Sequence, residues 1–150
     1  MKYDSTDETQ KHINRVNSLG SKFILKFLDQ IDKHDRSKLE SPEKEAFDEM
    51  TPKLKLVTYG SHQYREYLRE IKPALEHHYK ENSHHPEHYD NSIKDMNLID
   101  LIEMFCDWKA ATERHEDGNF EKSIQLNAKR FEMDPQLVSI FENTRKFLNL

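Results

Sequence analysis

Phe23-Ile24-Leu25-Lys26-Phe27-Leu28-Asp29-Gln30-Ile31-Asp32-Lys33-His34-Asp35-Arg36-Ser37-Lys38 decides the reading of this chain. Phe23, Ile24, Phe27, Leu28 and Ile31 recur at three- and four-residue spacing, which predicts a helix with one buried apolar stripe. Continued to i+11 from Phe23, the same period arrives at His34. The stripe therefore runs into a His-Asp dipeptide, an imidazole beside a carboxylate that one metal ion or a metal pair can share. Alone, such a dipeptide is an ordinary helix end. Its place at the close of an apolar face sets it apart.

Upstream, a helix opens near Thr6 or Asp7 with acids in its first turn, and His12, Val16 and Leu19 share a face with Ile13 beside it. Gly20 is expected to stop that helix and Ser21 to cap the next. Downstream, Ser41-Pro42-Glu43 reads as an N-cap, a proline at the first helical position and an acid, opening a helix to about Met50. Thr51 to Gly60, with Pro52 as a breaker, is expected to be irregular. From Ser61 a longer helix carries Tyr64, Tyr67, Leu68, Ile71, Ala74, Leu75 and His78 on one face, kinked or divided by Pro73. Residues 82–92 are loop by composition.

Asp95 to about Glu116 reads as the next helix. Ile99, Leu101, Ile102, Met104, Phe105, Cys106 and Trp108 cover most of its circumference, leaving Asp100, Glu103 and Asp107 as one acidic stripe. A helix so apolar is normally buried. Its carboxylates must then be paired, protonated or bound to metal. Asp117-Gly118-Asn119 turns the chain into a helix ending near Met133, and Asp134-Pro135 starts the last, towards Leu148. The expected class is all-α: a single-domain bundle of about six or seven helices over residues 1–150.

Composition agrees. A chain of 150 residues with 35% hydrophobic and 34% charged residues has a globular balance and buries about 68–70% of its unfolded surface. The net charge of −5 argues against a nucleic-acid polymer as partner. Cys106 is the only cysteine, which excludes an internal disulfide framework; its apolar surroundings predict an inert core thiol. No stretch reaches the roughly 20 apolar residues of a membrane span, and the polar start has no signal-peptide core. The cytoplasm is the expected setting. Nine histidines are present, six of them between positions 62 and 88.

The pattern His12 … His34-Asp35-x-x-Lys38 … His … His84-His85 … Asp107 resembles the HD-domain superfamily of metal-dependent phosphohydrolases. Asn82-x-His84-His85-Pro86-Glu87-His88-Tyr89 and Glu103-Met104-Phe105-Cys106-Asp107-Trp108-Lys109-Ala110 look like the hallmark runs of an uncharacterised family found in phages and bacteria, which also carries a His-Asp-x-Ser-Lys run. The HD resemblance implies an all-helical fold with a binuclear site of iron, manganese or zinc, magnesium being a further candidate. It implies His12, His34, Asp35, His78, His84, His85 and Asp107 as ligands, with Asp35 bridging. For the third histidine, His62 has the better spacing from His34 and His78 the better helical face; His78 is preferred over His62 and His77. Ser37 stands where the closest HD variant has glycine. The Gly-Tyr-Pro segment that follows His-His in cyclic-dinucleotide phosphodiesterases is replaced by Asp90-Asn91-Ser92, so that substrate is not carried over.

Hydrolysis of a phosphate ester needs an activated nucleophile and neutralised phosphate charge, and a metal pair supplies both. Lys38 then offers a point charge to a substrate oxygen and Glu103 orients a ligand histidine; with Asp35 they are the candidate catalytic residues. Lys109, Arg114 and Arg130 are candidates for a phosphate pocket, with Ser123 and Asn127 on the Arg130 helix face. The leading expectation is hydrolysis of a small phosphorylated substrate, a nucleotide among the candidates, by a chain whose homo-oligomerisation stays open. An HD-type di-iron oxygenase is the second reading. A non-enzymatic phage or host binding protein with a structural metal is the third.

Overall fold

Gly20 does not end the first helix. In the computed structural model, which describes residues 3–58, 61–114 and 118–150, helix α1 (Thr6–Ile31) is continuous and joins the two helices expected from the sequence. Glycine inside a helix costs roughly 0.5–1 kcal/mol relative to alanine, which a 26-residue helix tolerates. A Cβ at Gly20 would meet nothing within 4 Å. Gly20→Ala is therefore expected to stabilise the protein by about 0.5–1 kcal/mol, read as a higher urea midpoint at unchanged slope.

The expected burial of α1 is corrected too. None of its residues is buried: Phe23, Phe27 and Ile31 are half-buried, and Ile24 and Leu28 are exposed. Periodicity marks which side of a helix is apolar and says nothing of what covers it.

The chain divides into two units, one ending at His34 and one running from Asp35 to Leu150. Asp35 opens the second in a left-handed conformation, φ 56°, a region aspartate enters more readily than most residues. A 3-10 turn follows over Arg36–Leu39. Helix α2 (Glu43–Leu54) has Pro42 at its N-cap and passes through Pro52, correcting the irregular segment expected from Thr51. A proline in the last turn forfeits only its own backbone bond, and two helical residues follow it. Residues 59–60 lie outside the described residues.

Helix α3 (His62–Glu70) is capped by Ser61, whose hydroxyl accepts the Tyr64 N–H at 3.1 Å. Helix α4 (Lys72–Glu81) begins after Ile71, which caps both. The division expected at Pro73 thus falls two residues ahead of it, placing the ring in the first turn of α4, where no N–H is needed. Helix α5 (Leu98–Thr112) starts later than Asp95, because Asn97 and Asp100 form a reciprocal capping box. Helices α6 (Phe120–Arg130) and α7 (Pro135–Phe147) complete the unit. Glu116 and Asp117 lie outside the described residues. Among the described residues there is no strand, and the fold is all-α.

Met104, Phe105 and Trp108 of α5 pack with Phe120, Ile124, Met133 and Phe141 as one core. The Phe105 ring meets Phe120 and Phe141 edge-on at 4.9 and 5.3 Å. This core holds α5 on one side only. Leu98, Ile102 and Cys106, one turn apart, are exposed, so α5 is not buried all round and Cys106 is not a core thiol. Partial burial of the sulfur, then Glu103 and Asp107, push its pKa up, which keeps the thiol protonated and unreactive. Met50, Ile71 and Ala74 are buried in α2, at the α3–α4 junction and in α4. The acidic stripe of α5 carries two buried carboxylates, Asp100 and Glu103.

Candidate metal centre

The α4 face that carries Ala74 carries His78 one turn later, and only 1% of His78 is exposed. Burying an imidazole requires partners for both nitrogens. Its Nδ1–H donates to Glu43 Oε2 at 2.8 Å, and the second oxygen of Glu43 accepts from His77 Nδ1 at 2.8 Å. The Ser37 hydroxyl donates to Glu43 Oε2 at 3.0 Å, and the Asn82 amide donates to Ser37 Oγ and to the His78 carbonyl, both at 2.8 Å. With the Glu43 carboxylate as acceptor, the hydrogen on His78 is assigned to Nδ1, which the Asn82 amide also approaches at 3.0 Å, and Nε2 is left as a lone pair. That Nε2 stands 3.2 Å from Asp35 Oδ1 and 2.9 Å from His85 Nε2.

His84 and His85 come from the segment after α4. Asp100 ties that segment to the start of α5, accepting from the Ser83 and Tyr89 hydroxyls at 2.7 Å each and from the Asn97 N–H at 3.2 Å. His84 repeats the His78 arrangement. Its Nδ1 lies 3.1 Å from Glu103 Oε1, and its Nε2 is 3.6 Å from Asp35 Oδ1. The His84 and His85 rings are 4.1 Å apart. Burial, and then the neighbouring His84 and His78, push the His85 pKa down to about 3. A neutral imidazole results, the form that ligates metal.

Asp35, His78, His84 and His85 each offer one ligand atom, all four within 4.8 Å of one another. The other oxygen of Asp35 accepts from Lys38 Nζ at 2.6 Å, and that ammonium lies over the Phe47 ring at 5.2 Å. Asp107 places a carboxylate oxygen within 4.8 Å of one on Asp35.

A family model described as a family of unknown function (DUF5662) matches residues 1–149. The chain belongs to this family. No curated protein and no solved structure matches the DUF5662 chain.

In this DUF5662 chain, seven of the sequence candidates stand together: Asp35, His78, His84 and His85, with Lys38 and Asp107 beside Asp35 and Glu103 on His84. The choice among three histidines follows helical face and not spacing. His78 is in the cluster, His77 is held by Glu43 at its side, and His62 is exposed on α3 beside Glu66. His12 is exposed on α1, and His34 is half-buried at the end of the first unit. His88 donates from Nδ1 to the Tyr79 carbonyl at 2.9 Å and packs on Tyr89, a loop-fixing role.

Lys109 pairs with Glu113 at 2.7 Å along α5, Arg130 pairs with Glu87 and covers Phe131, and Arg114 is exposed. Asn127 donates to the Ser123 carbonyl at 3.1 Å within α6. Sequence reading missed Glu43, Ser37 and Asn82 as site residues. Asn82 and Ser37 belong to the runs that carried the resemblance. Glu43 was read only as the acid that follows Pro42 at a helix start.

Proposed function

We propose that this chain is a metal-dependent hydrolase with an HD-like centre built on Asp35, His78, His84 and His85. One observation carries the reading: the Nδ1 atoms of His78 and His84 face buried carboxylates, while both Nε2 atoms converge on Asp35 Oδ1 at 3.2 and 3.6 Å. Lone pairs and a carboxylate oxygen at such separations are held by a cation among them. Three imidazoles with one carboxylate suit iron, manganese or zinc, whereas magnesium favours an all-oxygen shell. Asp107, with a carboxylate oxygen within 4.8 Å of one on Asp35, supports a second ion sharing that carboxylate.

When bound, the ions supply Lewis acidity toward a phosphoryl oxygen and an attacking water. The chain's own residues do the rest. Glu43 and Glu103 fix the tautomer and direction of His78 and His84. Lys38, anchored by Asp35 beside Phe47, offers an ammonium at the cluster to an anionic substrate. A small phosphate ester, nucleotides included, suits a single ammonium better than a polymer does, and the net charge of −5 agrees. Among the described residues no helix is long and apolar enough to cross a membrane, and we place the activity in the cytoplasm.

Elemental analysis of the purified protein, followed by a panel of nucleotides and phosphate esters with manganese, iron or zinc, tests this. Close to two equivalents of metal and release of phosphate are expected. Metal without hydrolysis anywhere on the panel would remove the hydrolase; oxygen consumption by an iron-loaded sample would replace it with an oxygenase. Absence of metal would identify the cation as a proton and leave a helical binding protein.

A further inference from the structure

We infer that Glu43 is a positioning residue of the metal centre, setting the tautomer and basicity of His78; this rests on the metal reading above. Glu43 is wholly buried on α2, where it faces two histidines of α4. Its two oxygens are divided between adjacent histidines of α4: Oε1 takes His77 and Oε2 takes His78, each at 2.8 Å. Consecutive residues on a helix point about 100° apart, so a single carboxylate reaching both Nδ1 atoms fixes two rings at once. The Ser37 hydroxyl, two residues beyond Asp35, donates to the same oxygen as His78. Glu43 therefore links the segment that begins with Asp35 to the helix that carries His78.

Its position makes this tenable. Glu43 is the first residue of α2, where the positive end of the helix dipole favours a carboxylate. With Nδ1–H held by that carboxylate, His78 has only Nε2 to offer, and Nε2 is the atom aimed at Asp35 Oδ1 and His85. A carboxylate behind a ligand imidazole also raises its basicity, and loss of such a partner typically lowers metal affinity 10- to 100-fold. Glu103 stands in the same relation to His84. The centre thus has two outer carboxylates, one per buried histidine, and Glu43 is the one whose role no sequence spacing announced.

The test titrates zinc into metal-free full-length protein against a chromogenic chelator, for wild type and Glu43→Gln, with imidazole nitrogen shifts recorded by NMR. Glu43→Gln is expected to keep its helicity and its zinc stoichiometry, to lose roughly 10- to 100-fold in affinity, and to show His78 as a mixture of tautomers where wild type shows Nδ1–H alone. Affinity within twofold of wild type, with the tautomer unchanged, would overturn the inference while leaving the centre in place. If Glu43→Gln does not fold, Glu43→Asp takes its place. One methylene shorter, that carboxylate cannot span both rings, so a lowered affinity supports the inference and an unchanged one overturns it. Wild-type protein that binds no zinc would instead remove the metal reading itself.

Discussion

Asp35→Asn is expected to abolish metal binding while leaving the fold intact. Asp35 is addressed both by His78 of α4 and by His84 of the segment after it. Its Oδ1 faces His78 and His84, its Oδ2 holds Lys38, and a further carboxylate oxygen from Asp107 lies within 4.8 Å of the Asp35 carboxylate. Asparagine is the informative replacement because Asp35 sits at φ 56°, where asparagine is as comfortable as aspartate and alanine is not. Shape and backbone are kept; the charge is lost. A direct ligand should matter more than an outer partner, so the affinity loss is expected to exceed about 100-fold. A second readout follows from linkage. Metal at 100 times its Kd stabilises a folded protein by about 2.7 kcal/mol, so zinc is expected to raise the melting temperature of wild type and to leave that of Asp35→Asn unchanged. His34→Ala, carried alongside, tests the histidine of the His-Asp dipeptide from which the sequence reading began. An Asp35→Asn protein that binds zinc as tightly as wild type would take Asp35 out of the centre.

Much of this candidate cluster was legible because histidines were read on helical faces. His78 continues the Ala74 face, and it is buried; His62 had the better spacing in the sequence and lies in solvent. Glu103 was legible for a related reason: a carboxylate on an otherwise apolar helix has to meet something, and it meets His84. Glu43 shows where such reasoning stops. An acid in a first helical turn is ordinarily solvated and stabilised by the helix dipole alone. Nothing in Pro42-Glu43-Lys44 distinguishes that case from a buried carboxylate, because its partners lie 34 and 35 residues away. The errors in the fold have the same origin. Gly20 was read as a stop because local propensity was allowed to outweigh a helix long enough to absorb one glycine. The α1 stripe and Cys106 were read as core because period gives the apolar side of an element, whereas burial depends on what is packed against it.

Asp100→Ala is expected to cost about 3 kcal/mol and to loosen the metal centre without touching a ligand. Asp100 is 1% exposed and accepts three hydrogen bonds, from Ser83, Tyr89 and the Asn97 N–H. Hydrogen bonds to a charged group contribute roughly 1.5–3 kcal/mol each. The sum is discounted here because Ser83 and Tyr89 are only part-buried and water can replace the lost acceptor. The capping box at the start of α5 goes with it. His84 and His85 follow Ser83 directly, so the segment that presents them loses its anchor to the helix that carries Glu103. A fall of roughly tenfold in zinc affinity is expected, the low end for an outer partner. Tyr89 reports the same contact independently. Burial first, and then its bond to Asp100, raise its pKa to about 12, above the value near 10 of an unfolded tyrosine. A pKa raised on folding means the contribution is complete below about pH 10 and is lost as pH rises through about 12. In wild type the phenolate absorbance near 295 nm should therefore include one late tyrosine, and in Asp100→Ala that transition should move down toward 10. Should stability and the Tyr89 titration both stay unchanged, the segment after α4 is held by its own packing, through buried Pro86 and the His88–Tyr79 bond, and Asp100 serves only as the cap of α5.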